Sequence, residues 1–107
     1  MELKHQVCTP EQGKLLRELG VTAEPYLFWW QNEKSDPFVT DWASAIEYPQ
    51  LKEIAPAYSV AELGRMINSP VFVYASNEMA DTLAGDLIIR IEKGTLSPEE
   101  ANKRLNS

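Results

Sequence analysis

Leu15, Leu16 and Leu19 recur at the spacing of a helix that turns one face inward. Thr9 stands before them as a hydroxyl acceptor for orphan helix amides, and Gln12 is spaced to return the bond. Pro10 occupies the first helical position, where its missing N–H costs nothing. Gly20 follows where a left-handed terminator belongs, with Val21 as its apolar contact. The pattern predicts a helix over about 10–19, although Gly13 inside it costs about 1 kcal/mol relative to Ala.

The same opening recurs at Ser59-Val60-Ala61-Glu62 and Ser97-Pro98-Glu99-Glu100. Leu63, Met66 and Ile67 continue an inward face over about 60–68, and Tyr58 with Leu63 is spaced as a hydrophobic staple across the cap. Asn68 and Pro70 end that helix. Met79, Ala80, Leu83, Ala84, Leu87, Ile88 and Ile91 keep the helical period over about 77–93, closed by Gly94. Ser97 then opens a last helix over about 98–105, with Glu99–Lys103 and Glu100–Arg104 correctly spaced for ion pairing.

Between the first two helices the pattern changes. Tyr26 to Trp30 is aromatic and suits a strand, Gln31 to Pro37 is turn-like, and Phe38 to Trp42 reads as a returning strand. Together these predict a hairpin at about 26–42. Val71 to Ala75 reads as a further short strand. In residues 43–57, Pro49 and Pro56 interrupt what helical spacing there is, so an irregular connection is expected, with room for a short strand or one helical turn. The fold class is α+β: a small antiparallel sheet of two to four strands packed with about four helices, in one domain spanning residues 1–107.

Adjacent Trp29 and Trp30 must point to opposite sides of a regular strand. Both can be buried only if the sheet is covered on both faces. The expectation is that one is deeply buried and the other partly open, or covered by a second subunit. Tyr26, Trp29, Trp30 and Phe38, rimmed by Glu33 and Asp36, form the candidate interaction surface, since aromatic residues concentrate in binding hot spots.

Charge narrows the partners. The chain carries 16 acidic and 10 basic residues, a net −6, with neither an acidic tail nor a basic block. Such a field repels phosphate backbones and argues against direct nucleic-acid binding. A single cysteine, Cys8, excludes an intramolecular disulfide, and the polar N-terminus does not read as a signal peptide. The longest apolar runs are five residues, far below a membrane span. A cytoplasmic protein without membrane partners is expected.

Catalytic and ligand signatures are sparse. His5 and Cys8 are the only His or Cys residues, too few for a zinc site without several carboxylates, so no metal or cofactor is expected. Cys8 precedes a helix N-terminus, which could activate its thiol; a small buried hydrophobe is the plainer reading. No Gly-x-Ser-x-Gly elbow or phosphate-cradling glycine loop occurs. Glu33, Asp36 and Asp41 lie beside the hairpin and could in principle form a carboxylate pair, but turn acids rarely have the burial that tunes an acid.

The phrases Leu3-Lys4-His5-Gln6-Val7-Cys8, Leu16-Arg17-Glu18-Leu19-Gly20, Tyr58-Ser59-Val60-Ala61-Glu62-Leu63-Gly64 and Ile91-Glu92-Lys93-Gly94-Thr95-Leu96-Ser97-Pro98-Glu99-Glu100 occur in this order. Together they resemble a family of small hypothetical proteins from Bacteroides-type bacteria and their prophages. The resemblance implies a phage or mobile-element context and carries over no functional residues; residues 43–57 match no phrase of that family. The expected function is a non-enzymatic binding or assembly module that contacts another protein, with a homodimer as one form of partner. The alternatives are a small enzyme whose carboxylates cluster only in the fold, and an acidic decoy of a nucleic-acid-binding protein.

Overall fold

Thr9 caps the first helix, α1 (Pro10–Glu18), with a complete reciprocal box: its hydroxyl accepts from the Gln12 amide and the Gln12 side chain accepts from the Thr9 amide. The computed structural model describes residues 6–33, 36–68 and 80–106. Helix α1 ends in a Schellman turn, in which the Val21 amide donates to the Leu16 carbonyl and the Gly20 amide to that of Arg17. Gly20 has φ +105°, a conformation open to glycine and costly to other residues.

The hairpin follows as β1 (Leu27–Gln31) and β2 (Phe38–Asp41), antiparallel, with Phe28 opposite Thr40 and Trp30 opposite Phe38. Strand β2 stops one residue before the expected end. Asp41 instead caps a single helical turn, α2 (Trp42–Ala45), by accepting from the Ser44 amide at 2.9 Å. Trp42 is therefore helical, not a strand residue.

The expected irregular connection over 43–57 resolves into the end of α2, a short turn and β3 (Lys52–Ala57). Strand β3 pairs antiparallel with β1, giving the sheet order β2-β1-β3. Pro56 sits within it opposite Phe28. An edge strand is where a sheet tolerates proline, which is why Pro56 does not prevent pairing. Both elements are too short to establish a periodicity of their own.

Ser59 and Glu62 form a second complete capping box before α3 (Val60–Ile67), which ends at Asn68 with φ 55°. Helices α4 (Ala80–Glu92) and α5 (Pro98–Asn106) complete the order. Ser97 accepts from the Glu100 amide, while the Glu100 carboxylate pairs with Arg104 at 3.4 Å. The expected strand at Val71–Ala75, the expected first residues of the 77–93 helix, and His5 lie outside the described residues.

One hydrophobic core gathers Leu16, Leu63, Met66, Leu87 and Ala101 from α1, α3, α4 and α5, with Tyr58 from the link between β3 and α3. The staple pair Tyr58 and Leu63 is fully buried in it, and the Tyr58 hydroxyl donates to the Ala23 carbonyl. A smaller cluster of Val7, Trp29, Ala55 and Ala57 lies on the sheet. Helix α1 runs close along β3: a Cβ built at Gly13 would overlap the Pro56 carbonyl oxygen and stand 3.1 Å from the Ala55 methyl. The glycine inside this helix is thus a contact requirement. The architecture is α+β, a small antiparallel sheet with helices packed against it.

Candidate functional site

Trp29 and Trp30 are both buried, at 7% and 5% exposure. The expectation that one indole stands partly open is corrected: each face of β1 has its own cover. Trp29 packs with Val7, Ala55 and Ala57, and its Nε1 donates to the Cys8 carbonyl at 2.8 Å. Trp30 packs with Phe28 and Trp42, at ring-centroid separations of 6.4 and 5.5 Å, and its Nε1 donates to the Thr40 carbonyl. The second cover is α2, which the interrupted periodicity of residues 43–57 did not reveal.

That cover is itself apolar on its outer side. Ala45 turns inward and is buried, whereas Trp42 is 55% exposed. Ile46 and Tyr48 are also exposed, and Trp42 with Ile46 has the i, i+4 spacing that places side chains on one side of a turn. The turn is held by its own backbone: the Ile46 amide donates to Trp42, Tyr48 to Ala45 and Leu51 to Tyr48, at 2.9 to 3.0 Å. A hollow of about 270 Å³ lies between this turn and β2, lined by Phe38, Thr40, Ser44, Ala45, Tyr48 and Leu51 among others. Among the described residues, four of the six large exposed hydrophobics, Phe38, Trp42, Ile46 and Tyr48, fall within positions 38–48, with Tyr26 and Ile89 elsewhere.

The six residues expected to form one surface divide. Phe38, Glu33 and Asp36 lie at the turn end of the hairpin, with Phe38 opposite Trp30. Tyr26 is exposed but precedes β1 at its other end, about 13 Å along the strand, and its amide donates to the Glu62 carboxylate of α3. Trp29 and Trp30 are interior. Trp42, Ile46 and Tyr48 take their place at the surface. The Asp41-x-x-Ser44 cap was the local signal that a turn of helix begins at Trp42.

Charge on this segment has one sign. Residues 36–48 contain Asp36, Asp41 and Glu47 and no Lys, Arg or His. Hydrogen bonding to Ser44 lowers the Asp41 carboxyl below its ordinary value, so the cap is ionised at neutral pH. Lys52 starts β3, the strand at the opposite sheet edge from β2.

Among the described residues no charged side chain is buried, and no three His, Cys, Asp or Glu residues stand close enough to hold a metal ion. Glu33 instead borders an open groove of about 810 Å³ with Gln31, Asn32, Pro49, Gln50, Lys52 and Ile54. Cys8 is fully enclosed, its Sγ donating to the Pro56 carbonyl, and burial pushes its thiol up to about 11. A neutral, enclosed thiol is a poor nucleophile. No helix among the described residues is long and apolar enough to cross a membrane. Compared with known proteins, this chain matches no family model, no curated protein and no solved structure.

Proposed function

We propose that this chain is a non-enzymatic protein-binding or assembly module, an accessory of phage or mobile-element origin that works in the cytoplasm. The observation that carries the reading is the exposed apolar surface of Trp42, Ile46 and Tyr48 on a backbone-bonded turn. Side chains of this size left open in one place are the usual mark of an interface. Trp and Tyr supply large contact area with few rotatable bonds, so little conformational entropy is lost when a partner covers them. The mobile-element context rests on the ordered phrases of the sequence, and the cytoplasmic setting on the lone enclosed thiol.

The test is affinity purification from source cells with wild-type, Trp42→Ala and Ile89→Ala baits, followed by reconstitution with the purified partner. A partner that binds wild type and Ile89→Ala directly, and Trp42→Ala at least about tenfold more weakly, supports the reading. A direct partner that binds all three equally would refute the assignment to this surface.

A further inference from the structure

Three acids and no cation accompany the exposed aromatic surface over residues 36–48. We infer, resting on the binding reading above, that the Trp42–Ile46–Tyr48 surface docks a basic segment of its partner, placing an arginine or lysine over the Trp42 indole.

An indole open at its face attracts a cation through the ring quadrupole, and tryptophan does so best among the aromatics. Asp41 and Glu47 flank Trp42 and Ile46 in the chain, and hydrogen bonding to Ser44 lowers the Asp41 carboxyl further below its ordinary value. A cation arriving at this turn therefore approaches a segment with carboxylates at positions 41 and 47, while the apolar stem of an arginine or lysine can pack on its exposed apolar side chains.

Other occupants fare worse on the same residues. Nucleic-acid bases could stack on Trp42, but their phosphates would approach Asp36, Asp41 and Glu47, and residues 36–48 contain no Lys, Arg or His to offset them. A second copy docked through the same face would form a two-fold contact in which each patch meets itself. Its three acids would then oppose three acids, in a chain already at −6.

The experiment titrates the whole protein with three short capped peptides that alternate leucine with arginine, glutamine or glutamate. Binding is read by tryptophan fluorescence and calorimetry, with sedimentation of the free protein alongside. The arginine peptide is expected to bind about tenfold or more tightly than the glutamine peptide, and the glutamate peptide most weakly. Trp42→Ala and Tyr48→Ala should each weaken the arginine peptide, Glu47→Gln should narrow its advantage, and Ile89→Ala should change nothing. Higher ionic strength should also narrow the advantage. Equal binding of all three peptides, or preference for glutamate, lost in Trp42→Ala, overturns the basic partner while leaving the binding surface in place. Absence of any Trp42-dependent binding overturns both. A Trp42-dependent dimer in sedimentation gives the surface to a second copy and overturns the inference.

Discussion

The α-carbon of Gly13 faces the Pro56 carbonyl so closely that no side chain fits between them. On an exposed helix, replacing glycine with alanine stabilises by about 1 kcal/mol through backbone entropy. Here the obstruction is main chain of a paired strand, which cannot rotate away. Gly13→Ala should therefore destabilise the protein by about 1–3 kcal/mol, the cost of an overpacked contact exceeding the helical gain. Urea denaturation checks the sign; a stabilised variant would mean that α1 stands farther from β3.

The two tryptophans that differ most in setting should separate stability from association. Trp29→Ala removes a buried indole and leaves the Cys8 carbonyl without its donor, for a loss of about 3–5 kcal/mol. Trp42→Ala keeps the β1 face intact and loses only a half-exposed ring against Trp30 and Phe28, for a loss below about 2 kcal/mol. Chemical denaturation of the two variants gives the difference directly. Acrylamide quenching should also fall in Trp42→Ala, since the accessible indole is gone.

Alkaline pH should weaken the fold through the buried thiol and phenol. Burial raises the Cys8 thiol from 9.0 to about 11 and raises the Tyr58 phenol above its ordinary value. Each native state thus holds a proton that the unfolded chain has released. The contribution of Cys8 is fully present below pH 9 and is lost as pH rises through about 11, amounting to about 2–3 kcal/mol. Denaturation midpoints should hold up to about pH 9 and fall between pH 9 and pH 11, and Cys8→Ala should flatten that fall without abolishing it, because Tyr58 remains.

Asn102 of α5 closes the loop that follows α1. Its Oδ1 accepts from the Thr22 and Ala23 amides at 2.8 and 3.0 Å, and its Nδ2 donates to the Gly20 carbonyl at 3.0 Å. Asn102→Ala should cost about 1–3 kcal/mol, with faster hydrogen exchange at Thr22 and Ala23. Asn102→Asp keeps the acceptor and loses the donor, so it should protect those two amides better than Ala does.

The helices were legible because their signals are local. Thr9 with Gln12 and Ser59 with Glu62 lie three residues apart and form the boxes their spacing implies. Strands β1 and β2 were legible from aromatic runs around a polar turn. Strand β3 was not, since Lys52 to Ala57 has no clean alternation and contains a proline whose tolerance depends on lying at an edge. The surface was half legible. Alternation correctly sent Trp29 and Trp30 to different environments, but whether Trp30 is covered depends on where Trp42 lies in three dimensions. Asn102 carried no signal, because its partners lie some eighty positions away.

The long-range clamp by Asn102 has a consequence for synthesis. Residues 20–23 leave the ribosome early, and the side chain that satisfies their amides and carbonyl lies on α5, which emerges last of the elements described. The Arg104 guanidinium likewise reaches the Met66 and Ile67 carbonyls at the end of α3. Early segments can form helical turns during translation, but the loop after α1 cannot complete its bonding until α5 is out of the exit tunnel. A ribosome stalled before α5 should therefore hold a nascent chain that proteases cut at residues 20–23, and release of α5 should abolish that cleavage in one step.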